Sequence, residues 1–109
     1  RDKIDAPSGT ALALGESIAK GRGLNFGEVC RKTREGNVGK RSEDKIGFCS
    51  LRGGDVIGDH SVIFAGDGER IELVHKASNR EIYAIGALRA AIWAEGKKNG
   101  FFTMQDVLN

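Results

Sequence analysis

Residues 55–77 read DVIGDHSVIFAGDGERIELVHKA, two β-branched runs on either side of GDGE. Runs this rich in Val and Ile, joined by two glycines around an Asp, fit two antiparallel strands and a tight hairpin. In the second run Ile71, Leu73 and His75 share one face, with Arg70, Glu72, Val74 and Lys76 on the other. Two strands alone are marginal in water, so the rest of the chain must extend or cover them. The preceding stretch, IGFCSLRG (46–53), sets Ile46, Phe48 and Ser50 on one face and Gly47, Cys49 and Leu51 on the other. GGD at 53–55 then reads as another short connection. The expectation is a three-stranded antiparallel meander over 46–77.

Helices flank it. Pro7 and Ser8 prepare a helix from about Ser8 to Lys20, with Ser8 as N-cap. Ala11, Leu14 and Ile18 recur at helical spacing, and Gly21-Arg22-Gly23 ends the run. A short strand is expected near Glu28 to Thr33, followed by a polar, glycine-containing loop over 34–45. From Ser78 or Asn79 a last long helix carries Ile82, Ile85, Leu88 and Ile92 as a stripe, with Tyr83 and Ala91 on its shoulders and Gly96 near its end. A short turn or helix starts at Thr103. The fold class is therefore α+β: a mixed, largely antiparallel sheet of about four strands with helices packed on one face.

Composition bounds the function. The 109 residues suffice for one domain, and 39% apolar content supports a small core of Ile, Leu, Val and Ala, since aromatics are only 6%. The 17 basic and 15 acidic residues leave a net charge of +2, too balanced for a nucleic-acid surface. Arg31, Lys32, Arg34, Lys40 and Arg41 are interleaved with Glu35, Glu43 and Asp44, as on a solvated loop. No run approaches the roughly 18 apolar residues of a membrane span, and no signal peptide is visible. Cys30 and Cys49 read as reduced, buried thiols. The chain starts with Arg1, inside what reads as a functional loop, which points to a piece of a larger protein.

Three motif matches fail on chemistry. GNVGKRS (36–42) has too few residues between its glycines for a phosphate loop, and Arg41 stands where Ser or Thr is needed. SIAK (17–20) matches a serine acyl-enzyme motif, but Ser17 lies late in a helix without the partner motifs. Cys30, Cys49, His60 and His75 lack the paired spacings of a zinc site, and His75 reads as a core residue.

KIDAPSGTA (3–11) is different. The first N–H groups of a helix lack internal partners and carry about half a positive charge. Gly9 lets an anion approach the backbone, Ser8 and Thr10 add hydroxyl donors, and Lys3 stands on the incoming loop. The plain alternative is a helix cap beside a stray surface lysine.

The same stretch resembles the signature H-H-x-x-K-x-D-A-P-S-G-T-A of the dihydrodipicolinate reductase family. TREG (33–36), IGF (46–48), RGGDVIGDH (52–60), GERIELVHKASNR (68–80) and GALRAAIW (86–93) extend the likeness over the whole chain. The resemblance implies the C-terminal substrate-binding and tetramerisation domain, 1–109, of a two-domain, cytoplasmic, NADPH- or NADH-dependent oxidoreductase of lysine (diaminopimelate) biosynthesis. It implies Lys3 as proton donor, Ser8, Gly9 and Thr10 as the seat of a substrate carboxylate, Arg80 as a further substrate contact and Tyr83 as a nicotinamide neighbour. It implies no metal, nucleic acid or membrane, and a small dicarboxylate and further copies of the chain as partners. The family's paired histidines would precede Arg1, and no G-x-G-x-x-G fingerprint occurs, so an N-terminal dinucleotide domain is expected elsewhere, with 81–109 packing toward it. Two other readings stay open: a non-catalytic oligomerisation module, and a related oxidoreductase with another substrate.

Overall fold

The computed structural model describes residues 2–109. The chain runs α1 (Gly9–Gly21), α2 (Phe26–Val29), β1 (Cys30–Arg31), β2 (Ile46–Gly47), β3 (Gly58–Ala65), β4 (Arg70–Ala77), α3 (Glu81–Ala94) and α4 (Met104–Leu108). It forms two compact bodies, one ending at Lys76 and the other starting at Ala77.

In the first body α1 begins where the sequence expects. Ser8 is its N-cap, extended at φ −66° and ψ 158°, and its side chain accepts from the Ala11 amide. The helix closes with the amides of Gly23 and Leu24 donating back to Lys20 and Ala19 carbonyls. Gly23 takes the required positive φ of 67°. Arg22 then donates to the carbonyls of Glu43 and Asp44, tying down the far end of the irregular 34–45 stretch. The core is small, as composition implies: Ala19 and Val29 are buried, with Gly15 beside them.

The α+β class holds, with four strands in two separate pairs. β3 and β4 form the hairpin, closed by the Gly66 amide donating to the Glu69 carbonyl, with Gly68 at φ 76°. The expected meander does not form. Only Ile46–Gly47 of the 46–53 stretch is strand, and it pairs in parallel with β1, Cys30 opposite Ile46 and Arg31 opposite Gly47. Packing explains the difference. The Phe48 ring meets Phe26 edge-on at 6.1 Å between centroids and reaches Gly15 of α1, while the Phe48 amide donates to Arg31. The chain is thus held against the helices, and Gly54 and Asp55 form a turn that joins no strand pair. The strand expected from Glu28 is likewise shortened, because Phe26–Val29 make a helical turn that drives Val29 inward to 3% exposure.

Two burial expectations change. His75 is exposed on β4 rather than in a core. Both cysteines are free thiols, but Cys49 is exposed and Cys30 half-buried.

In the second body α3 starts at Glu81, whose amide donates to Asn79 Oδ1. Its stripe of Ile82, Ile85, Leu88 and Ile92 is exposed throughout. Trp93 packs edge-on against Phe102 at 5.2 Å, with Lys97 Nζ 4.3 Å above the indole. α4 carries a capping box: the Thr103 hydroxyl and amide both donate to Asp106, each at 2.7 Å. Among the described residues no helix is long and apolar enough to cross a membrane.

Candidate functional site

The sequence puts a polar turn, Ser8-Gly9-Thr10, directly before the apolar face of α1, and local chemistry fixes its geometry. Ser8 Oγ accepts from the Ala11 amide at 3.2 Å, and the Ser8 carbonyl takes the Leu12 amide at 3.0 Å. The Gly9 and Thr10 amides have no acceptor among the described residues and lie at the exposed helix start. Space above Gly9 is open, with no heavy atom within 4 Å of where a Cβ would stand. The first turn contains no acidic residue to offset the positive end of the helix dipole.

The loop feeding this turn is pinned from across the chain. Lys3 Nζ donates to the Ile57 carbonyl at 2.6 Å, just before β3. Arg52 donates to the Asp5 carbonyl at 2.5 Å and to the Leu51 carbonyl at 2.8 Å. An ammonium has three donors, so the Ile57 contact orients Lys3 and leaves two N–H groups for another acceptor. The Ala6–Pro7 peptide within the loop is cis.

Two residues to which the sequence reading gave no role here bond to this turn and its loop. His60 of β3 places Nε2 3.2 Å from Ser8 Oγ. Together with Thr10, Leu14, Val62, Leu73, Val74 and His75 it lines a groove of about 290 Å³ between α1 and the hairpin. Only strand alternation hinted at this: Gly58, His60 and Val62 lie on the inward face of β3. Arg52 is the second, visible in sequence only as part of a glycine-rich turn.

Lys3, Ser8, Gly9 and Thr10 all lie in the first body, with Lys3 tied to the Ile57 carbonyl and Ser8 to His60. Arg80, at the start of α3, and Tyr83, half-exposed on its first turn, belong to the second. Among the described residues no group of three or more His, Cys, Asp or Glu side chains is gathered to hold a metal. Nor does any strand lead through a glycine loop into a helix, the arrangement that cradles a dinucleotide pyrophosphate.

A helix start with unpartnered amides on a small α+β scaffold has the donors and the dipole to receive a small anion. More particularly, the chain belongs to the family described as dihydrodipicolinate reductase, C-terminus, which matches residues 1–108. It is 61% identical over 108 residues to a 4-hydroxy-tetrahydrodipicolinate reductase of Rhodopseudomonas palustris, covering 99% of this chain and 40% of the relative. Relatives of the same name from Beijerinckia indica (56% over 108 residues, 99% and 40% covered) and Pseudomonas fluorescens (55% over 109 residues, 100% and 41% covered) are similar. The chain thus spans about 40% of the length of the curated relatives it matches.

Proposed function

We propose that this chain is the substrate-binding part of a 4-hydroxy-tetrahydrodipicolinate reductase, an oxidoreductase that reduces a cyclic unsaturated dicarboxylate to tetrahydrodipicolinate on the diaminopimelate route to lysine. The observation that carries the reading is the helix start itself, where the Gly9 and Thr10 amides are open beside the Ser8 cap, fed by a loop whose Lys3 is tied to the Ile57 carbonyl. One carboxylate sits on those amides, where the helix start supplies donors and positive potential. The Ser8 and Thr10 hydroxyls add further contacts. Lys3 stands beside the ring nitrogen and gives it a proton as the ring is reduced. Held by a backbone carbonyl, the ammonium keeps its direction before substrate arrives.

The reduction calls for hydride from NADPH or NADH, and these residues do not fit a dinucleotide-binding site; that task falls to the rest of the parent protein. In this reading Arg80 contacts the substrate, and Tyr83 stands by the nicotinamide. The hairpin, with exposed Ile63, Phe64, Ile71 and Leu73, contributes to a homotetramer, and the α3 stripe packs toward the dinucleotide domain. The location is cytoplasmic. The 109 residues alone are expected to show no turnover with NADPH.

Titrating pyridine-2,6-dicarboxylate into the chain tests the seat. The Gly9 and Thr10 amide resonances should move saturably, and Ser8→Ala should weaken the binding. A titration that leaves both amides unmoved overturns the proposal.

A further inference from the structure

We infer that His60 is a positioning residue for the Ser8 hydroxyl, donating through Nε2 to Ser8 Oγ so that the hydroxyl proton is turned toward a bound carboxylate. This rests on the carboxylate seat proposed above. A serine hydroxyl has one proton and two lone pairs. The Ala11 amide occupies one lone pair at 3.2 Å, and His60 Nε2 lies 3.2 Å from the same oxygen. Only two arrangements remain. If Nε2 accepts, the serine proton is spent on the imidazole and Ser8 presents a lone pair to the ligand, which repels a carboxylate. If Nε2 donates, both lone pairs are filled and the O–H is left to point outward, a third donor beside the Gly9 and Thr10 amides.

The surroundings favour donation. Which nitrogen carries the proton follows from the partner of the other one. No acceptor among the described residues bonds His60 Nδ1, so nothing holds the proton on that side. His60 is itself half-buried on the inward face of β3, 52 residues from Ser8, so its position comes from the fold and not from the helix it serves. Thr10 and His75 line the same groove, and neither has a hydrogen bond to the His60 ring.

Long-range proton–nitrogen correlation spectra of the wild-type chain should show the His60 proton on Nε2. His60→Phe, which keeps a ring without a donor, should weaken pyridine-2,6-dicarboxylate binding by about fivefold to tenfold, the net worth of one hydrogen bond. His60→Gln, which returns an N–H donor at similar reach, should recover most of that loss. In a Ser8→Ala background His60→Phe should cause no further weakening. A His60 proton on Nδ1, an undiminished effect of His60→Phe in the Ser8→Ala background, or no recovery with His60→Gln would each overturn the assignment. A wild-type chain that fails to bind the dicarboxylate overturns the seat and this role with it. Normal binding with His60→Phe equal to wild type overturns the role of His60 alone.

Discussion

The Phe48 ring lies edge-on to Phe26, with centroids 6.1 Å apart and planes at 79°, and its tip fills the notch that Gly15 leaves on α1. The aromatic pair is what holds the end of β2, and with it the β1–β2 pair, against the helices. It also explains why a glycine is tolerated in the middle of a helix.

Gly15→Ala should therefore destabilise the fold although alanine is the better helix former. A methyl at this position would overlap the Phe48 ring and crowd Phe26. Overpacking of this kind costs about 1–3 kcal/mol, against roughly 0.5–1 kcal/mol gained in helix propensity, so a net loss near 1 kcal/mol is expected by chemical denaturation. Gly86→Ala in α3 is the contrast, since nothing stands within 4 Å of its Cβ position. It should stabilise by about 0.5–1 kcal/mol. Equal signs for the two changes would refute the packing role of Phe48.

The α4 cap should respond to acid. The Thr103 amide, and then its hydroxyl, hold the Asp106 carboxyl below the ordinary carboxylate range. A group with a depressed folded value contributes stability above its unfolded value, near about 3.9, and loses that contribution as pH falls through the folded value. The Thr103 amide resonance should thus titrate with a midpoint below about 3.9, and Thr103→Ala should raise the Asp106 midpoint toward it. A midpoint at or above that value argues against the capping box.

Lys3 and Ser8 should separate kinetically in a full-length reductase carrying this chain. With Lys3 as the proposed proton donor, Lys3→Met should lower kcat by about 10²–10⁴. Ser8→Ala removes a contact made equally to substrate and transition state, so KM should rise by about fivefold to tenfold with kcat nearly kept. Steady-state assays at varied substrate decide it: a Lys3→Met effect confined to KM would remove the lysine from the chemistry.

Much of this was legible in sequence wherever the signal is local. Ser8 before an apolar period marked the start of α1, Gly21 to Gly23 marked its end, and GDGE marked the β3–β4 turn. These features depend on bonds spanning only a few residues. The 46–53 stretch misled because alternation records which side a residue faces without saying what it meets. Phe48 does turn inward, but onto Gly15 rather than onto a neighbouring strand. His60 escaped notice for the same reason. Its partner lies 52 residues away, and nothing in VIGDHSV distinguishes a histidine that serves a helix cap from one that packs. Helix-start chemistry singled out Lys3 and the Ser8–Thr10 turn, family likeness suggested their roles, and only the folded chain brought His60 and Arg52 to that end of α1 and its loop.

The grip on Lys3 has an implication for how such a site can drift. Its anchor is the carbonyl of Ile57, a group that every amino acid carries. Side-chain replacement at position 57 therefore leaves the acceptor in place, provided the backbone keeps its course into β3. The lysine is insured by chain path and not by residue identity. A comparison of letters alone would see nothing to protect at that position, although the direction of the Lys3 ammonium depends on it.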